Sequence, residues 1–303
     1  MTSVPPPSDP PATLHTHPEV PDGVVPAPKP PEAPSGSLAA VPAWAPLAAM
    51  ICAFIVATIA YALIAAGVEA GGGTVTASGP PGLVISATLV QDVALIAAAL
   101  LFASLWARGL EPASFGLRPA ALGPAIGWTL LTFVAFWVLT AIYISAVGEP
   151  DQQELTRDLR EEESLSALLG YGVLLAFVAP LTEVLFFRGF VFGVLREKIG
   201  VAGCAIATGV VFGAVHVAGS PLETVGVLII LGVLLCLLYQ QTGSLLPCIA
   251  LHAINNAISF AVTKELSVLA ALAIVVGSTV AAVVAALVVM RRYPALPVLR
   301  APR

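Results

Sequence analysis

Four polar residues stand inside stretches that are otherwise apolar: Glu183, His216, His252 and Asn256. Glu183 lies in Ala179-Pro180-Leu181-Thr182-Glu183-Val184-Leu185-Phe186-Phe187-Arg188-Gly189. His216 closes Phe212-Gly213-Ala214-Val215-His216, and His252 opens His252-Ala253-Ile254-Asn255-Asn256. An ionisable group at membrane depth costs on the order of several kcal/mol, and as a rule it faces a cavity or a pathway. Glu183, about a turn beyond Pro180, is placed to act as a general base. Phe212 and His216 are four residues apart and share a helix face, so Phe212 walls the pocket of the imidazole. His252 and Asn256 share a face in the same way, and both can donate hydrogen bonds. Two donors aimed at one point can stabilise a developing oxyanion. A carboxylate base, an imidazole that orients or protonates, and two donors suffice for attack of water on an amide. Each residue also has a structural reading, the histidines as buried hydrogen-bonders and the asparagine as interhelical glue. Four such groups occurring together, each beside small residues, favour chemistry.

The elements that position these groups read as membrane helices. The chain has 303 residues, 58% of them hydrophobic and 10% charged, with mean hydropathy +0.96. Soluble domains are about a quarter charged. A helix crosses a bilayer with about 20 apolar residues. Eight stretches approach that length: Pro46–Gly67, Leu83–Ala107, Leu122–Val147, Ser166–Phe187, Val201–Ala218, Val225–Tyr239, Leu245–Val262 and Val268–Met290. The fold class expected is all-α, a polytopic membrane bundle of about eight transmembrane helices. The sixth and seventh stretches are short and closely joined at Gln240–Ser244, which predicts a tilted or partly interfacial pair. The acidic stretch Glu149–Glu163 separates the third and fourth spans. Its charges fall at helical i,i+3 and i,i+4 spacing, which predicts a surface helix, a solvated connector in the plain reading and a substrate gate in the sharper one.

The membrane domain is expected over 43–293, between a tail at 1–42 and a short tail at 294–303. The first 40 residues hold 12 of the 26 prolines and no apolar period. Such a segment cannot bury enough surface to offset its ordering entropy, which predicts a disordered Pro-rich tail able to recruit a partner. It lacks the pattern of a signal peptide. His15 and His17 in it read as incidental. Orientation follows from Lys and Arg. With eight spans, nine of them (Lys29, Arg108, Arg118, Arg196, Lys198, Arg291, Arg292, Arg300, Arg303) fall on the side of the two tails and three (Arg157, Arg160, Lys264) on the other. Both termini are therefore expected in the cytoplasm of a multi-pass cell-membrane protein. The net charge of −5 and the lack of a basic run argue against nucleic-acid binding. Cys52, Cys204, Cys236 and Cys248 lie in apolar segments without a CxxC pair and read as small core residues.

The three fragments resemble the motifs of the CPBP family, the CAAX protease and bacteriocin-processing (Abi) group of intramembrane endopeptidases. The family pattern EExxxR, FxxxH and HxxxN/D stands here as Glu183-Val-Leu-Phe-Phe-Arg188, Phe212-Gly-Ala-Val-His216 and His252-Ala-Ile-Asn-Asn256. Ala179-Pro180, Arg188-Gly189, Gly243-Ser-Leu-Leu-Pro247 and the loop Phe115-Gly116-Leu117-Arg118 extend the likeness, which covers roughly 83–262 with a core at 166–262. The resemblance implies a catalytic cavity within the bilayer, Glu183 and His216 activating water, and His252 and Asn256 holding the oxyanion. Arg188 and Phe212 support the motifs. The substrate implied is a membrane-anchored or prenylated protein or peptide. One departure stands out: the second Glu of the family motif is Val184 here, so Arg188 lacks its usual i,i+4 carboxylate and needs Glu197, Glu223 or backbone carbonyls instead. A pseudoenzyme is the alternative that this departure raises.

Glu183, His216 and His252 could also ligate zinc as a His₂Glu centre with an open position for water. No HExxH is present, and the glutamate-based mechanism without cofactor is the favoured expectation. Asp92, beside Gln91 in the second span, is the remaining polar site at depth and reads as a structural pair or a cavity lining. Two functions of other classes compete: a transporter, since polar groups at depth also mark ion paths, and a non-catalytic immunity or scaffold protein on the same fold. A clear internal repeat, the mark of many transporters, is missing from the sequence.

Overall fold

Prolines stand in the first turn of three of the long helices, and glycines cap the ends of four of them. A proline there lacks only an N–H that would be orphaned anyway, and glycine accepts the backbone angles that end a helix. The computed structural model describes residues 37–75, 79–148 and 153–292. Among these, every regular element is a helix. Eight helices are long and apolar enough to cross a membrane: α1 (Ala45–Ala70), α2 (Pro81–Ser104), α3 (Leu122–Val147), α5 (Leu165–Ile199), α6 (Val201–Gly219), α7 (Leu222–Thr242), α8 (Leu246–Thr263) and α9 (Val268–Arg292). The short α4 (Glu154–Glu161) is the expected surface helix of the α3–α5 connector. The all-α, multi-pass membrane architecture read from hydropathy is thus the one the chain adopts.

Three boundaries differ from expectation. α5 does not stop at Phe187 but runs twelve residues further, to Ile199. Hydropathy sees Arg188 as an end, whereas packing takes its side chain wholly inside the protein. α7 covers 21 residues rather than the short stretch expected, carrying Gln240, Gln241 and Thr242 into its last turn before Gly243 turns the chain at φ +63°. The tail expected over 1–42 ends earlier. Ser37 caps a short 3₁₀ turn, Leu38–Ala40, and Leu38 and Val41 are buried. Residues 1–36 and 293–303 lie outside the described residues, and the expectations for the two tails rest there. Cys204, Cys236 and Cys248 are buried and free as expected, while Cys52 is exposed on α1.

The closest helix pair that frames the site is α6 on α7. A Cβ added at Gly209 would meet Val233 N at 2.8 Å and Ile229 O at 3.0 Å, and one at Gly213 would meet Val225 O at 2.9 Å. Ala214, the third small residue of the stretch, is exposed and takes no part. Gly232 of α7 faces Gly209, so the two backbones touch. Without a hydrophobic drive between helices in lipid, such small-residue contacts hold a bundle by close packing. At the end of the bundle where α2 joins α3, the loop Phe115–Arg118 is clipped to the α7–α8 turn. Leu245 N donates to Gly116 O at 2.9 Å, Ser244 Oγ donates to Arg118 O at 2.5 Å, and Arg118 Nε donates to Gly243 O. Gly116 sits at φ +86° against the Tyr239 ring, where any side chain would collide.

Gly209→Val is expected to lower the melting temperature in detergent, since overpacking a tight contact costs about 1–3 kcal/mol. Gly203→Ala, on the same helix with nothing within 4 Å of the added carbon, is expected not to lower it.

Candidate active site

The site is built on an irregular helix. Over Leu174–Val178 and Val184–Phe192, α5 widens into π-helical turns. Its ladder there runs five residues back, Ala179 N donating to Leu174 O. The next donor in that register would be Pro180, which has no N–H. The carbonyl of Leu175 is therefore left without its helical partner, and Asn256 Nδ2 of α8 donates to it at 2.9 Å. Proline, wide turn and asparagine are one device: the break in α5 supplies the acceptor that pins α8. π-turns inside helices cluster at functional sites for this reason.

One step further along α5, Glu183 points between two imidazoles. Its Oε1 is 4.0 Å from His216 Nε2 and its Oε2 is 3.7 Å from His252 Nε2. Three helices that are distant in sequence thus bring together three of the four predicted residues. The fourth, Asn256, stands one turn from His252 on the same helix and gives one of its two amide hydrogens to Leu175, the interhelical role that was its structural reading. His216 Nδ1 lies 2.7 Å from the Phe212 carbonyl, which fixes the proton on Nδ1 and leaves Nε2 as an acceptor toward Glu183 in the neutral ring. His252 is 3% exposed with no partner for Nδ1, whereas the side chain of His216 is 31% exposed.

Phe212 is the hub beneath these groups. Its ring meets the edges of His216 and His252 at centroid distances of 5.1 and 6.0 Å and that of Phe187 at 5.1 Å. On it lies the Arg188 guanidinium, 4.4 Å from the centroid. Arg188 is wholly buried, and of the three kinds of partner expected for it the backbone carbonyl is the one found. Nη2 donates to Gly232 O at 3.5 Å, the guanidinium also faces the Cys236 thiol, and among the described residues Nε and Nη1 have no hydrogen-bond partner. Glu197 pairs with Arg196 instead, at 3.5 Å. The glycine contact between α6 and α7 is what leaves that carbonyl within reach. Val184, in place of the second family glutamate, is fully buried among Leu231, Leu235 and other apolar neighbours.

Asp92 of α2 is 4% exposed, and its Oδ2 has no hydrogen-bond partner. Among the described residues no group of three His, Cys, Asp or Glu side chains converges closely enough to hold a metal ion. Beside the centre, on another face of α5, an apolar cavity of about 530 Å³ runs between α2, α5, α8 and α9; Thr182 lines it, and none of the four site residues does.

Fold and site together define a polytopic helical membrane protein with a carboxylate–bis-histidine centre inside its bundle. Residues 165–258 match the family model described as Type II CAAX prenyl endopeptidase Rce1-like, a likeness consistent with the CPBP intramembrane protease group. The matched segment runs from the start of α5 to Ile258 in α8 and holds all four site residues. No curated protein and no solved structure matches the chain.

Asn256→Ala is expected to destabilise the fold by about 1–3 kcal/mol, because it strands a half-buried carbonyl that has no other helical partner. Faster hydrogen exchange across residues 174–180 than in wild type would accompany it. Unchanged exchange there would show that the Asn256–Leu175 bond carries no weight.

Proposed function

We propose that this protein is an intramembrane endopeptidase of the CAAX prenyl protease type, which hydrolyses a peptide bond of a membrane-anchored or prenylated protein or peptide. The observation that carries this reading is Glu183 held between His216 and His252 inside a membrane bundle, within the segment that matches the family. Water donates hydrogen bonds of about 2.8 Å, so two acceptors that share one water stand roughly 4–5 Å apart. The 4.0 Å between Glu183 Oε1 and His216 Nε2 suits a water that donates to both and turns its lone pair toward the substrate.

In the reaction the water oxygen adds to the amide carbon and its proton passes to Glu183. The carbonyl oxygen becomes an oxyanion. His252, through Nε2–H, and the second amide hydrogen of Asn256 are the donors that hold it. Collapse breaks the C–N bond, and the proton held by Glu183 goes to the leaving amine. Arg188 stays outside the chemistry; it stacks under Phe212 and so steadies both imidazoles. The departure at Val184 is compatible with activity on this reading, because the retained glutamate is the one that faces the histidines. The distribution of Lys and Arg supports a topology with both termini in the cytoplasm.

Purified protein with a prenylated CAAX peptide and a pool of membrane-anchored peptides, read by mass spectrometry, tests this. Wild type is expected to cleave, and Glu183→Gln to be slower by about 10²–10⁴-fold, the usual weight of a general base. Cleavage by Glu183→Gln at the wild-type rate would overturn the reading, and substrate-dependent flux in liposomes without cleavage would favour a transporter. Val184→Glu is expected to stay within about tenfold of wild type, since the added carboxylate would face Arg188 and not the substrate. Activity is expected to survive chelators; stoichiometric zinc lost together with activity would replace the glutamate-based mechanism with a metal-based one.

A further inference from the structure

α2 and α9 both pack on α5, yet they make little contact with each other, and a cleft stands between them. Its rim is open: Leu100 of α2 and Val289 of α9 are exposed. Its floor is Thr182 of α5, Ile249 of α8 and Ala286 of α9, all of them buried. The α2–α3 loop closes one end with Leu110 and Pro112, and the clip from Gly116 and Arg118 to the α7–α8 turn holds that loop in place. This cleft is the apolar cavity of about 530 Å³, a size in the usual range for a small ligand.

The floor of the cleft adjoins the centre. Leu181, Thr182 and Leu185 line it, and Glu183 stands among them on the same helix, turned toward the two histidines. Ile249 precedes His252 by three residues on α8, so the two share a face one turn apart. A molecule lying in the cleft therefore touches the very turns that hold the carboxylate and the buried imidazole. Only Glu111 and Thr182 among the lining side chains are polar. A peptide backbone there would leave N–H and C=O groups unpaired, which an apolar site penalises heavily. A hydrocarbon chain has no such groups and fits the lining.

The cleft lies toward the basic end of the bundle, where Arg108 follows α2 and Arg291 and Arg292 end α9. We infer that it receives the hydrocarbon anchor of the substrate, which slides in from the bilayer between α2 and α9 and leaves the peptide bond at Glu183, and that the small side chains of Ala285 and Ala286 set how bulky an anchor is admitted. A bilayer phospholipid is the competing occupant; it would bring no peptide bond to the centre. Both walls, α2 and α9, lie outside residues 165–258, so the choice of anchor is made by helices other than those of the matched core. The cleft stands on its own geometry; the word substrate rests on the endopeptidase reading above.

The first arm of the test reads binding without turnover. Full-length Glu183→Gln protein in liposomes of phosphatidylcholine and phosphatidylglycerol is irradiated with a farnesylated peptide that carries a diazirine at the end of its chain. Adducts are expected within residues 96–100 or 285–289, and excess farnesylated peptide without the diazirine is expected to suppress them. Adducts elsewhere alone overturn the inference, and so do cleft adducts that the farnesylated peptide leaves in place but added phospholipid removes. The second arm compares Ala285→Leu with wild type on the farnesylated peptide and on the same peptide with a methyl group in place of the chain. The ratio of kcat/KM between the two peptides is expected to fall by about tenfold or more, the weight of a misfit in an apolar pocket. An unchanged ratio overturns the inference. Cleft adducts together with no cleavage of either peptide by wild type would count against the endopeptidase reading and leave the chain site standing.

Discussion

A polar group inside a membrane bundle has no water to fall back on, so every charge and every broken backbone bond on α5 must find its partner on another helix. This constraint organises the molecule. α5 brings a carboxylate, a guanidinium and a proline into the middle of the protein within nine residues. Glu183 is met by imidazoles from α6 and α8, Arg188 by a ring of α6 and a carbonyl of α7, and the carbonyl stranded by Pro180 by an amide of α8. The three helices around α5 are thus fixed to it by what it cannot satisfy alone. The same contacts assemble the candidate centre, so the packing of the bundle and the arrangement of Glu183, His216 and His252 share one set of interactions.

Close backbone approach makes this arrangement reachable. Gly209, Gly213 and Gly232 let α6 and α7 touch, and that contact brings a helix carbonyl within reach of Arg188. A bulkier residue at any of them would move α6 and with it both Phe212 and His216. Phe212 is central in the same sense: one ring supports two histidines on one side and a cation on the other. The cation–ring contact and the Gly232 carbonyl replace the ion pair that Val184 removes. Such a pair often yields no more stability than apolar packing of similar volume, because burying two charges costs about as much as their attraction returns.

The order of elements and their lengths give the centre its exposure. One face of α5 beyond Glu183 is fully buried while Leu185 on another lines the apolar cavity, and α6 stops soon after His216. Along the chain nothing marks this: Val217–Pro221 reads as an ordinary turn.

The sequence by itself determined the all-helical membrane class and the eight spans to within a few residues at most ends, and it singled out Glu183, His216 and His252, which the fold brings together. Apolar run length and polar groups at forbidden depth are local signals, and they survive without coordinates. It missed the true end of α5, because hydropathy counts Arg188 as a stop while the neighbours of Arg188 accept it inside. It left open whether Asn256 joins two helices, which carbonyl meets Arg188 and whether Asp92 pairs or lines the site. These were decided by the tertiary structure alone. Each depends on which backbone atoms face one another across helices, and that is fixed by glycine contacts and a proline-widened turn rather than by the type of any single residue.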